Sequence, residues 1–123
     1  DIIEWYQPRH YFVENPTSSQ LWQRFAWPRL VKTSYCSWGF PYRKHTSIAT
    51  NTDLCLRAPC GGAGVCAQMR RTLHKEHAQK GGGGGGEKKY HTTDARHRIP
   101  EALSRAVEWH CAPVQAAPGA DAC

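Results

Sequence analysis

Residues 10–16, His-Tyr-Phe-Val-Glu-Asn-Pro, and residues 38–46, Trp-Gly-Phe-Pro-Tyr-Arg-Lys-His-Thr, decide how this chain is read. Tyr11-Phe12-Val13 is a short aromatic and β-branched run, the composition of a buried strand. It ends on the pair Glu14-Asn15. Asn15 suits an N-cap and Pro16 the first position of a helix. Leu21, Trp22 and Phe25 then recur at helical spacing until Pro28 stops the pattern. Leu30–Cys36 alternates loosely and predicts a second strand. Gly39-Phe40-Pro41 is a turn carrying the cations Arg43 and Lys44, and Thr46–Thr50 is a third short strand.

Outward from this block the signals weaken. Asp1–Gln7 resembles the last turns of a helix stopped by Pro8. Leu54–Val65 is a Pro/Gly/Cys loop. Cys66–Gln79 is a helical candidate, with Met69 and Leu73 four apart. The hexaglycine Gly81–Gly86 reads as a flexible linker. Ile99–Cys111 predicts a helix with Pro100 at its start, Glu101 in the first turn, and Leu103, Ala106, Val107 and His110 on one face. The expected division is a strand-helix-strand-turn-strand core over 1–52 and a Cys/His loop with a helix over 53–80. A Gly-rich linker over 81–98, a helix over 99–112 and a disordered tail over 113–123 complete it.

The 123 residues carry a formal net charge of +6, which suits phosphate-rich partners. The basic run Arg70-Arg71, His74-Lys75, Lys80 and Lys88-Lys89 is either a DNA-phosphate contact or a solvated face. No charged-then-apolar signal precedes the cysteines in these residues, although a start further upstream would hide one, and no apolar run approaches membrane-spanning length; no membrane partner is expected. The six cysteines are unevenly placed, at 36, 55, 60, 66, 111 and 123. Crowding of three of them favours one local site plus free thiols over a secreted disulfide scaffold, hence an intracellular setting, nucleus or cytoplasm. Cys55, Cys60, Cys66 and His74, with His77 nearby on the expected helix, form a candidate zinc set: three thiolates and one imidazole satisfy a tetrahedral ion. A metal would tie down a Gly/Pro-rich loop that cannot fold by burial.

Glu14 is the chemically pointed residue. A carboxyl group at the end of a buried strand can exchange a proton with a nucleobase edge near neutrality, provided the base is flipped into a pocket. Strand ends are where open α/β sheets place such pockets. The competing reading is that Glu14 only helps to cap the helix that follows.

Glu14-Asn15-Pro16, followed at similar spacing by Trp38-Gly39-Phe40-Pro41-Tyr42-Arg43-Lys44-His45-Thr46, resembles the DNA cytosine carbon-5 methyltransferase family. There a strand ends in Glu-Asn-Val, and a Tyr-Gly-Val-Pro-Gln-x-Arg-x-Arg turn leads into a later strand. Ile99-Pro100-Glu101-Ala102-Leu103-Ser104-Arg105-Ala106-Val107 resembles that family's last motif, Val-Pro-x-x-Leu-Ala-x-Ala-Ile. The likeness is closest to phage and mobile-element members.

The resemblance implies an α/β fold: an incomplete Rossmann-like, parallel-type sheet of about three strands with flanking helices and a Cys/Gly-rich loop. It implies that Glu14 contacts the cytosine N3/N4 edge, that Asn15 holds the loop, and that the final helix packs beside S-adenosylmethionine. Lys44 falls on the first motif Arg and Thr46 on the second, with Arg43 one place earlier; Arg43 and Lys44 are then DNA-facing along with Arg70 and Arg71. The family's Pro-Cys nucleophile and its aromatic-x-Gly-x-Gly cofactor loop belong upstream of Glu14, and Pro59-Cys60-Gly61 lies on the wrong side of it. The chain is therefore expected to be a piece of a longer DNA-acting enzyme and inactive alone. The missing N-terminal half or another chain would cover its sheet edge. The alternatives are a zinc-stabilised nucleic-acid-binding module without catalysis, a non-functional remnant, or a secreted disulfide protein.

Overall fold

A computed structural model describes residues 1–76, 92, 94 and 97–110. Residues 77–91, 93, 95, 96 and 111–123, which include most of the expected linker, the whole tail, His77, Lys80, Lys88 and Lys89, lie outside the described residues. Helix α1 (Ile2–Tyr6) is a short piece whose first turn is closed by an Asp1–Glu4 capping box and whose end is set by Gln7 in the left-handed region, just before Pro8. It buries none of its own residues.

Strand β1 (Phe12–Pro16) leads through helix α2 (Leu21–Arg24) to strand β2 (Arg29–Ser34). A 3-10 turn (Tyr35–Trp38) and the Gly39 bend then return the chain as strand β3 (His45–Thr50). The sheet order is β1-β3-β2, with β3 antiparallel to both neighbours. β1 and β2 consequently run parallel to each other, joined by the α2 crossover, and β3 fills the gap between them. This is a split β-α-β arrangement. Every ladder is antiparallel, which corrects the expected parallel-type sheet. The reason is local: Gly39 takes φ 96, and Tyr35 N–H donates to the Lys44 carbonyl at 3.0 Å, so the chain doubles back beside the strand it has just left.

β3 is the central strand, and all of Thr46–Thr50 is buried. Its hydroxyls would be costly there without partners. Ser47 Oγ pairs with Thr17 Oγ1 at 3.0 Å, and Thr50 Oγ1 with Thr52 Oγ1 at 2.9 Å. One face of the sheet meets the core of Tyr35, Trp38, Tyr42, Ile48, Leu54 and Leu103. Leu103 comes from helix α3 (Glu101–Trp109), whose Ala106 and Val107 pack against the same cluster. The apolar spacing read in the sequence is thus the packed face of α3.

Two short strands, β4 (Met69–Arg70) and β5 (Leu73–His74), form a hairpin with Met69 opposite His74. This overturns the expected helix from Cys66 to Gln79. One apolar pair four residues apart is too little periodicity to hold a helix. Here Arg71 adopts φ 53 at the turn, and Lys75 N–H donates to the Gln68 carbonyl at 2.9 Å. Among the described residues no helix is long and apolar enough to cross a membrane.

Candidate functional site

Glu14 lies in the middle of β1, opposite Ile48, and not at the strand's end as expected. Asn15 and Pro16 continue the ladder opposite Ser47 and Thr46, so Asn15 does not cap α2. The N-cap position of α2 is Gln20, and Ser19 Oγ accepts the Leu21 N–H at 3.2 Å.

What the fold builds around Glu14 is a hydroxyl-lined hub. Tyr35 Oη donates to Glu14 Oε1 at 3.2 Å. Thr46 Oγ1 donates to the same oxygen. Thr46 Oγ1 also lies 3.1 Å from the Asn15 carbonyl oxygen, so its single proton serves two acceptors. Among the described residues no donor reaches Oε2. The residue that stands where the resemblance expects an arginine, Thr46, is therefore what anchors the carboxylate.

Burial, and then the Glu14 charge and hydrogen bond, push the Tyr35 hydroxyl well above the ordinary tyrosine range. It remains a neutral donor at any physiological pH. Lys44 Nζ sits over the Tyr35 ring, 4.7 Å from its centre. Partial burial, and then the charge of Arg43, push His45 below its ordinary value. A carboxylate, two hydroxyls and a flanking cation thus converge where the two ends of the Gly39 bend meet β1. Tyr35 carried no signal in the sequence beyond its place in the alternation of β2.

A second cluster lies next door, on the residue after Tyr35. Cys36, Cys60, Cys66 and His74 place their ligand atoms within 4.8 Å of one another. Cys60 Sγ is 3.4 Å and Cys66 Sγ 3.7 Å from His74 Nε2. Cys36 and His74 are buried, Cys60 and Cys66 partly so. The set corrects the sequence reading in one member: Cys55 is disulfide-bonded and Cys36 takes its place.

The reason is how the loop after β3 is laid down. Thr33 Oγ1 donates to the Arg57 carbonyl at 2.8 Å, Ser37 Oγ to the Ala58 carbonyl at 2.9 Å, and Cys60 N–H to Ser34 Oγ at 3.0 Å. Arg57 stacks on Trp38 at 4.4 Å. Residues 57–60 are stitched along Thr33–Trp38, which delivers Cys60 to Cys36. Burial first, and then Cys60 and Cys66, push the Cys36 thiol far above its ordinary value. Without a cation to balance the charge, that thiol keeps its proton.

Arg70 lies in β4 and Arg71 at the hairpin turn, both exposed. The hairpin is tied back to the basic bend where Glu76 N–H donates to the Pro41 carbonyl at 3.0 Å. Apart from Cys55, Arg70 and Arg71, the described sequence-derived residues fall into two neighbouring groups. Glu14, Asn15, Arg43, Lys44 and Thr46 gather at the bend; Cys60, Cys66 and His74 gather at the thiol cluster.

No protein-family model matches the chain, and no solved structure matches it. The chain is similar to the probable DNA (cytosine-5)-methyltransferase of Frog virus 3 (isolate Goorha), at 33% identity over 75 residues. The match covers 58% of this chain and 34% of that protein, so the chain spans about a third of the length of the curated relative it matches.

Proposed function

We propose that this chain is the part of a DNA (cytosine-5) methyltransferase-like protein that supplies the base-pocket carboxylate. The observation that carries the reading is the Glu14 hub. The one carboxylate singled out by the resemblance is held by Tyr35 and Thr46, from the two ends of the basic bend that the resemblance also singles out. The viral relative supports the same class of chemistry.

In this reading Oε1 is the anchored oxygen and Oε2 the working one. A carboxyl group so fixed can meet the N3/N4 edge of an extruded cytosine, giving a proton to N3 or accepting a hydrogen bond from the exocyclic amine. Lys44 over Tyr35, with Arg43 beside it, supplies the positive charge that draws a phosphate backbone. S-adenosylmethionine, when bound by the longer protein, supplies the methyl group. This chain's contribution is to orient the ring and manage its proton, with α3 bordering the cofactor. The exposed Ile2, Trp5 and Tyr6 of α1 are 69%, 77% and 66% exposed. They fit a surface that other parts of a longer protein, or another chain, cover.

The test is methyl transfer to DNA by the protein that carries this chain, with tritiated S-adenosylmethionine as donor. Glu14→Gln keeps the shape and removes the ionisable oxygen. The rate falls by roughly 10²–10⁴, the usual worth of a positioned acid–base group. The 123-residue chain alone transfers nothing. An E14Q protein as fast as the parent, or a parent that leaves cytosine carbon 5 untouched, removes the proposal. A nucleic-acid-binding module without catalysis is the second reading, favoured by the exposed Arg70-Arg71 pair on a hairpin pinned at the thiol cluster. It predicts DNA binding that E14Q leaves intact and no methylation by any longer form.

A further inference from the structure

We propose that Cys36, Cys60, Cys66 and His74 form a structural zinc centre that fastens the β4–β5 hairpin to the 3-10 turn after β2. The site is assembled from three separate places in the fold. Cys36 comes from the turn, Cys60 and Cys66 from the Gly-rich loop, and His74 from β5.

The distances suit the ion. Zinc bonds of about 2.3 Å to sulfur and 2.0 Å to nitrogen, arranged tetrahedrally, separate a sulfur from a nitrogen by roughly 3.5 Å. The two sulfur–Nε2 separations here are 3.4 and 3.7 Å. Three soft sulfur donors and one imidazole in a closed, mostly buried set are the ligand choice of structural zinc rather than of calcium or magnesium, which take oxygen. A closed set also leaves no position for a substrate.

The groups around the ligands hold them in position. Gly62 N–H donates to Cys60 Sγ at 3.4 Å, which spreads the thiolate charge. Ser34 Oγ accepts the Cys60 N–H at 3.0 Å and lies 2.6 Å from His45 Nδ1. The loop that carries two of the ligands has the backbone freedom to wrap an ion. Gly62 and Gly64 both take φ 82, and Cys66 N–H returns to the Gly62 carbonyl at 2.9 Å. A Cβ on Gly61 would meet Val65 Cγ1 at 2.7 Å, so the turn is also closed tightly there.

The need for an ion follows from what is missing. A hairpin of two residue pairs does not hold itself in water. Of its apolar residues Met69 is only partly buried and Leu73 is 45% exposed, while His74 is 2% exposed. The one fully buried side chain of the hairpin is thus the imidazole. On binding, the three thiol protons pass to solvent, and the neutral ring coordinates through Nε2 with its proton on Nδ1.

The test is zinc content of the full 123-residue chain, purified without chelator and counted by mass spectrometry of the metal. One zinc per chain is expected. Cys36→Ser lowers the content by at least tenfold, and so does His74→Ala. His74→Cys restores a four-thiolate site and with it one zinc per chain, so the losses in the other variants are not mere unfolding. Cobalt added to the metal-free wild type gives the intense visible absorption of a tetrahedral thiolate site, and Cys55→Ser leaves that spectrum unchanged. Chelator treatment speeds proteolysis at the hairpin. No bound zinc in the wild type, or loss of metal from Cys55→Ser with Cys36→Ser unaffected, overturns the proposal. None of these readouts depends on methyl transfer, so the two proposals stand or fall separately.

Discussion

The three-stranded sheet and the hairpin loop beside it are held by different forces. The sheet has a core of Tyr35, Trp38, Tyr42, Ile48, Leu54 and Leu103, and its central strand is buried throughout. The loop and hairpin from Cys60 to His74 bury one imidazole and leave Val65 77% exposed. One region folds by removing apolar surface from water. The other is held by hydrogen bonds along Ser34–Trp38 and by the grouping of three thiols around His74. Glu14 belongs to the first region and Cys36 to the second, yet they are linked by the neighbouring residues Tyr35 and Cys36. The difference teaches that the Glu14 hydrogen-bond hub rests on the core, while the hairpin depends on polar and thiol contacts.

The largest effect that would break this contrast comes from the core. Leu103 is 1% exposed and ties α3 to the sheet. Leu103→Ala should cost about 2–5 kcal/mol of unfolding free energy, measured by urea titration. Amide exchange should then accelerate across β3 more than across β4 and β5. Equal acceleration in both regions would mean that the hairpin shares the core after all.

Next comes the link itself. Tyr35→Phe keeps the ring and removes the hydroxyl that donates to Glu14 Oε1. A hydrogen bond to a charged group is worth about 1.5–3 kcal/mol, so the loss should fall near the middle of that range. Tyr35→Phe with Glu14→Gln in a double-mutant cycle measures the pair directly. A coupling near zero would show that Thr46 alone anchors the carboxylate.

The same contrast explains what the sequence made legible. The order strand, helix, strand, turn, strand was readable because each element left a local mark: Tyr11-Phe12-Val13, then Leu21 and Trp22, then Gly39-Phe40-Pro41. The packed face of α3 was readable from Leu103, Ala106 and Val107. Strand direction was not, because nothing local says whether β3 joins an edge or slips between β1 and β2. Glu14 was read as the end of a strand because Asn15-Pro16 is also a good helix start, and ladder pairing with Ser47 and Thr46 outweighed that preference. Cys36 was missed because crowding at 55–66 pointed to a local ligand set. The contact that brings it in depends on residues 57–60 lying along Thr33–Trp38, a tertiary fact. Spacing draws Cys55 into the same set for the matching reason, since a disulfide leaves no trace in spacing alone.

Alkaline pH should act on the core region. Burial is the leading cause that raises the hydroxyls of both Tyr35 and Tyr42 above the ordinary tyrosine value of 10.0. The folded state then holds those protons more tightly than the unfolded chain. Below pH 10 both states are protonated, so the contribution of these groups is fully present and does not vary with pH. Above it the unfolded chain ionises first, so stability falls as pH rises. Each tyrosine adds at most about 1.4 kcal/mol per pH unit to that fall. The urea midpoint followed from pH 8 to about 11 should show it, the range being set by the ordinary tyrosine value. Tyr42→Phe should flatten the decline, and an unchanged slope in that variant would mean its hydroxyl ionises freely in the fold.

The smallest effect expected is at Lys44. Its ammonium lies 4.7 Å from the centre of the Tyr35 ring and is only partly buried. Contacts of this kind contribute about 0.5–1 kcal/mol when exposed. Lys44→Ala should therefore shift the urea midpoint barely, by an amount within that range. Lys44→Met keeps the aliphatic stem against the ring and should recover part of it, because stem packing contributes as well as charge. DNA affinity of the protein that carries this chain responds differently. If Lys44 meets a phosphate as proposed, its removal should lower the slope of log affinity against log salt by about 0.9. A large loss of stability with an unchanged salt slope would reverse the assignment, making Lys44 part of the scaffold and leaving Arg43 as the cation that meets the backbone.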